Sequence, residues 1–315
     1  TGLGAGATPP MPDTIIEPSF GMRPANMDMT QPMAMYEEYH EPGPKHLLNG
    51  FVVPAGQTGM EDIESALEHL FQHPNVGPFI GKQLIQRLVK SNPSPAYVAR
   101  VAAAFDDNGA GVRGDLKAVV KAILLDEEAR SCDWYNDPVQ GKLKEPIIRY
   151  THFARAVGGL SENGYFWNRG DQYDDDAGQH PMYSPSVFNF YWPDFQPVGP
   201  VGSQGYLGPE FQVHNARTSI GFVNFVNDWV VYETLLKTKG NTGSTVSTNL
   251  EGLIAHAADT ETLINELDIL LTNGMLKDDT RQVIATVVDP LEDPVEKTKL
   301  TIYLMVISAD YNILK

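Results

Sequence analysis

Only one cysteine, Cys132, occurs in the 315 residues. It cannot close an intramolecular disulfide, and it excludes a metal site built on several thiolates. Basic residues are also scarce: 23 Lys and Arg against 40 Asp and Glu leave a formal charge of −17. That balance argues against nucleic acid, whose phosphates need clustered Lys and Arg, and against docking on anionic lipid. No apolar run approaches ~18 residues, so no transmembrane segment is predicted. A charged-then-apolar leader is missing as well. The opening at Thr1, without Met, reads as a processed product or part of something longer.

What is present is a globular composition, 42% hydrophobic and 10% aromatic, long enough for one large domain or two. Residues 1–57 are rich in Pro, Gly and Met without a sustained period and predict an irregular arm. Helical signals follow. Thr58 with Glu61 matches a capping box, ahead of a stripe of Ile63, Leu67, Leu70 and Phe71. The run from His73 to Pro95 holds Ile80, Leu84 and Leu88 at one-turn spacing and ends on Ser94-Pro95, an N-cap followed by proline at the first helical position. Val98, Val101, Ala102 and Phe105 mark the next helix. Asp115 caps another that carries Leu116, Val119, Val120, Ile123 and Leu124. A further helix is predicted from Pro146 to about Val157, ended by Gly158-Gly159.

Residues 159–209 break the pattern. They are rich in Gly, Pro and Asp, and twelve of the chain's thirty aromatics fall between Tyr165 and Phe211. A long irregular segment with that many rings is expected to pack on the helices rather than hang free. A long helix after Pro209 is predicted from Val213, Ala216, Ile220, Val223, Val226 and Val230. Residues 240–249 read as a linker. Three last helices are marked by Leu263, Leu267, Leu270 and Leu271, by Val283, Ile284, Val287 and Val288, and by Val295, Ile302, Met305 and Val306. The fold class is therefore all-α: an arm over 1–57, a helical core over 58–239, and C-terminal helices over 250–315 packed on the same core.

Chemistry has several candidate positions, each with a plainer account beside it. Tyr36 to His46 groups His40, His46, Glu residues and Lys45. His40, His46 and a carboxylate suit Zn or Fe, yet the spacing lacks a one-face motif and also reads as a polar surface loop. His69 and His73 stand one turn apart, but Pro74 interrupts the helix, which makes His73 a cap-like residue donating to backbone, or else a ligand or base. Met22, Met27, Met29, Met33 and Met35 could hold Cu(I) or simply fill gaps under an irregular arm. Asp171 to Asp176, with Asp174 and Asp176, could offer oxygens to Ca²⁺ or form a solvated turn. No nucleophile elbow, activated thiol or phosphate loop is found. The aromatic run Phe188, Asn189, Phe190, Tyr191, Trp192 is the best pocket candidate, or a stapling loop.

Several phrases resemble a bacterial family known only as "domain of unknown function 1800". They are Glu38-Tyr39-His40-Glu41-Pro42-Gly43-Pro44-Lys45, the His73 to Pro95 run, Asp107 to Val119, Gly141-Lys142-Leu143-Lys144-Glu145-Pro146, Pro185 to Phe190, Gly208 to Gln212, and Tyr303 to Tyr311. The likeness runs in order over about residues 25–315. It implies a largely helical fold, frequent export, and genes beside those of a sulfatase-like family. It implies no reaction. The usual N-terminal helical part of the domain does not precede His40, so a separate fragment or neighbouring chain is expected to complete the fold.

Three functions follow as expectations, the last being Cu(I) handling by the Met-rich arm. The first is an exported, non-catalytic scaffold or assembly protein of a cell-envelope or extracellular complex. The second is a metal-assisted hydrolase or oxidoreductase with a site between the His40–Lys45 segment and the aromatic loop. There His40 or His73 would be ligand or base, Lys45 and Arg87 would hold an anion, Glu145 would be acid or base, and Phe188, Asn189, Tyr191 and Trp192 would line the pocket.

Overall fold

The computed structural model describes residues 34–131, 140–161, 176–180, 183–187, 189–236 and 246–314. The protein is all-α, with only two- and three-residue strands among the described residues. Its contacts divide the chain into two compact units, 1–79 and 80–315.

In the first unit, 3₁₀ turns at Glu37–Tyr39 and Leu48–Gly50 flank a short antiparallel hairpin, β1 (Lys45–His46) with β2 (Val52–Val53). Asn49 turns the hairpin in the left-handed region at φ 57°, a conformation that asparagine tolerates. Helix α1 (Gly59–Phe71) starts on the predicted capping box. The Thr58 hydroxyl accepts from the Glu61 amide, while the Glu61 carboxylate accepts from the Thr58 N–H at 2.8 Å. The predicted stripe on α1 is a different matter. Leu67, Leu70 and Phe71 are exposed, and Val53 is the one fully buried apolar side chain among this unit's described residues.

Helix α2 (Val76–Leu88) contains the boundary between the units. It buries Ile85, Gly81 and Gln86, whereas Leu88, expected inside, is exposed. Helices α3 (Pro95–Asp106) and α4 (Leu116–Leu125) form a hairpin that closes over Tyr97, Val101, Phe105, Val119 and Ile123. Ser94 and Asp115 cap them as the sequence predicts, each side-chain oxygen accepting from first-turn amides. The Tyr97 hydroxyl pins the pair by donating to the Ile123 carbonyl at 2.7 Å.

The main core of the second unit joins α5 (Pro146–Ala156), α6 (Ala216–Val230), α7 (Thr260–Leu267), α8 (Asp278–Val288) and α9 (Pro294–Ile307). Trp229 is its centre, stacked on Phe153 at 5.3 Å and on Phe225 at 6.0 Å, with Phe222 edge-on. These rings decide which face of α6 turns inward. Ile220 and Val223, expected inside, are exposed, because Phe222, Phe225 and Trp229 bury more apolar area on the neighbouring face. On α8, Val283 and Val287 are exposed while Ile284 and Val288 are buried.

Short strands fasten the connections. β3 (Lys142–Leu143) pairs with the C-terminal β7 (Ile313–Leu314). β6 (Val246–Ser247) lies between β4 (Leu160–Ser161) and β5 (Thr234–Leu236), so the second half of the predicted linker holds a paired strand. Within the aromatic stretch, Tyr191 is buried and Trp192 is half exposed.

Candidate functional site

Two polar clusters stand out, one in each unit. In the first, two side chains, His40 and Lys45, converge on one carboxylate oxygen of Asp62 at the start of α1. His40 Nε2 lies 2.7 Å from Asp62 Oδ2, and the Lys45 ammonium reaches the same atom. Glu37 holds the arrangement from the other side. It sits 3.8 Å from His40 Nδ1 and accepts the Gly59 N–H at 3.0 Å, a natural place for a carboxylate at a helix N-terminus. The hydrogen bond from Lys45, with that from His40, holds the Asp62 carboxyl below the usual carboxylate range against a smaller opposing effect of burial. Asp62 Oδ1 is buried without a partner.

Of the residues expected here, the structure brings together His40 and Lys45. His46 is the next residue along β1 and is exposed where Lys45 is half-buried, as alternation on a strand requires. His73 caps locally, but as an acceptor: its Nδ1 receives the Asn75 N–H at 3.2 Å. Asp62 was not foreseen. As an acid in the first turn after a capping box it reads as a dipole-compensating residue, and nothing local in the sequence ties it to His40.

In the second unit, Arg87, Glu145 and Tyr191 do meet. The Arg87 guanidinium lies 4.1 Å above the Tyr191 ring and 3.6 Å from Glu145 Oε1, and Gln179 donates to Glu145 Oε2 at 2.6 Å. Trp192 donates its backbone N–H to Gln212 Oε1. Asn189 is exposed with φ 74°, and Asp176 is exposed in a short helical turn. Met22, Met27, Met29, Met33, Cys132, Asp174 and Phe188 lie outside the described residues. Among the described residues no group of three or more His, Cys, Asp or Glu is placed to hold a metal ion.

Beside that contact runs a buried basic cluster. Lys142 and Lys144 flank Leu143 in the β3 segment, and all three are buried. Lys142 pairs with Glu210 at 3.2 Å and donates to the Gln86 and Arg87 carbonyls at the end of α2. Among the described residues no carboxylate pairs with Lys144. Its ammonium meets His152 Nδ1 at 3.1 Å and lies 4.4 Å from the centre of the Tyr311 ring. Burial, with the nearby Arg149 charge, pushes Lys144 down to about 8. Arg149 is itself fully buried, donating to the Lys144 carbonyl and lying 3.2 Å from His214 Nδ1. Burial lowers Arg149 to about 10 and, with the Arg149 charge, lowers His214 to about 4. The phrase Lys142-Leu143-Lys144-Glu145 is visible in the sequence, but alternating Lys around one Leu normally reads as a solvated strand face.

The chain matches the family described as "Protein of unknown function (DUF1800)" over residues 19–313 and belongs to it. No curated protein and no solved structure matches it.

Proposed function

We propose that the protein is a helical scaffold or assembly protein that works outside the cytoplasm in a complex of the cell envelope or extracellular space, with a protein partner. The observation that carries this reading is the outward face of α1. Met60, Leu67 and Leu70 fall on one side of the helix and are exposed by 46%, 60% and 48%. An amphipathic helix normally buries such a stripe, and a contiguous exposed one marks a surface that meets another protein. Export and a sulfatase-like partner enter the proposal from the family resemblance. No helix among the described residues is long and apolar enough to cross a membrane. The test is to fractionate the producing cells and measure the native mass of the tagged protein. The proposal expects an extracytoplasmic complex heavier than one chain, and a cytoplasmic monomer would refute it.

A second reading, metal-assisted hydrolysis or oxidation, draws on His40 and Asp62 being hydrogen-bonded, with Asp62 Oδ1 unpartnered. The Lys45 ammonium on the same carboxylate competes with any cation there, which favours the scaffold reading. Zn, Cu and Ca titration of the purified chain, followed calorimetrically, separates the two: tight binding abolished by His40→Ala supports the second.

A further inference from the structure

The second unit holds a cavity of about 560 Å³ between the β3–β7 pair and the start of α8, and Lys144 contributes to its wall. Three features of this wall and of the groups that touch it are unusual together. The first is Lys144 itself, 4% exposed, whose ammonium meets His152 and the Tyr311 ring and, among the described residues, pairs with no carboxylate. A buried ammonium beside a second cation, Arg149, is held in an environment that favours the neutral amine.

The second is His152, which orients that amine. Its Nε2 donates to the Leu270 carbonyl at 3.1 Å, which leaves Nδ1 as an acceptor toward Lys144. Burial and the Lys144 charge hold His152 below its ordinary range, so the ring stays neutral. The third is a stretch of backbone that shares the cavity wall. Asp268–Thr272 is a one-turn π-helix followed by Asn273 in the left-handed region, and Thr272 and Asn273 line the cavity. Such π turns cost helix geometry and recur at functional sites. Here the turn includes Leu270, whose carbonyl fixes His152.

We propose that Lys144 is a reactive amine that takes a small uncharged carbonyl compound, an aldehyde or an open-chain sugar, as a Schiff base in this cavity. The Lys144 nitrogen lone pair adds to the carbonyl carbon. The carbonyl oxygen leaves as water, carrying both amine hydrogens, and a C=N bond replaces C=O, with no change of oxidation state. The charge on the wall selects the ligand. Lys277 is engaged by Asp310 at 3.7 Å, and Asp278 and Asp279 add two further negative charges, so a carbonyl compound bearing a carboxylate or phosphate is disfavoured. This site is independent of the assembly surface on α1.

The experiment is a short exposure of the native protein to glycolaldehyde with cyanoborohydride at pH 7, followed by peptide mass spectrometry at each lysine. A pKa near 8 gives a roughly 300-fold larger neutral fraction than an ordinary lysine has at this pH. Restricted access and lower intrinsic nucleophilicity offset part of that gain. The proposal expects Lys144 to be modified more than about fivefold faster than exposed Lys277, with the preference lost in urea. A ratio of about fivefold or less, or a preference that persists in the unfolded chain, overturns it. Because the readout is made on the unaltered protein, it does not depend on any variant folding.

Discussion

The Glu210 carboxylate, in a residue that is 1% exposed, lies 3.2 Å from the Lys142 ammonium, and Ser91 is its other side-chain neighbour. Lys142 also closes the carbonyl end of α2 through Gln86 and Arg87, so one ion pair ties α2, β3 and the segment before α6. Removing one partner leaves the other charge buried and alone. Lys142→Met is expected to cost about 3–5 kcal/mol. The double variant Lys142→Met with Glu210→Leu is expected to recover much of that loss, and urea unfolding of all four proteins in the cycle measures it.

Asp62 gives a pH-dependent case. Its folded pKa is depressed, so the stabilisation it supplies is present above the ordinary carboxylate range and lost as pH falls through the folded value. Asp62→Asn should therefore melt below the wild type at pH 7, and the gap should close in strong acid. A gap that stays constant with pH would mean that charge plays no part in holding His40 and Lys45.

His214 has the opposite charge type with the same sign of slope. Burial lowers it from 6.5 to about 4, so between those values the unfolded chain binds the extra proton and stability rises with pH. After discounting for partial exposure, the wild type should lose on the order of 2 kcal/mol more than His214→Gln between pH 7 and pH 4. Denaturant titrations at the two pH values test this.

Gly221 lies against the Asp176 carbonyl so closely that an added Cβ would fall 2.0 Å from the oxygen. Since the contact is backbone on backbone, neither side can yield by changing a rotamer. Gly221→Ala is expected to destabilise by about 1–3 kcal/mol or more despite the better helix propensity of alanine. Thermal unfolding checks the sign, because an exposed helical glycine would give stabilisation instead.

The helices were legible because their start signals act locally. Thr58, Ser94, Asp115 and Pro146 each begin a helix where a short-range hydrogen bond or a fixed proline φ requires it. The inward faces were less legible. In α6 two overlapping apolar rows compete, and only tertiary packing around Trp229 selects the aromatic one over Ile220 and Val223. On α1 the stripe is plain in sequence, but periodicity cannot tell a core-facing row from one that meets a partner. Of the site, His40 with Lys45 and Arg87 with Glu145 could be named because His, Lys and Glu cluster near turns. Asp62, Lys144, Arg149 and His214 could not, because Asp62 meets His40 and Lys45 only through the fold and the other three are set apart by burial.

The most direct test of the account compares the tagged wild-type protein with Leu67→Glu/Leu70→Glu, each isolated from the producing cells under native conditions and sized by light scattering. Both side chains already face solvent, so the substitution should leave the melting temperature within a few degrees. The assembly reading predicts a wild-type complex well above the mass of one chain and a folded, monomeric variant. Identical sizes for the two proteins, whether both are monomers or both are complexes, would contradict it.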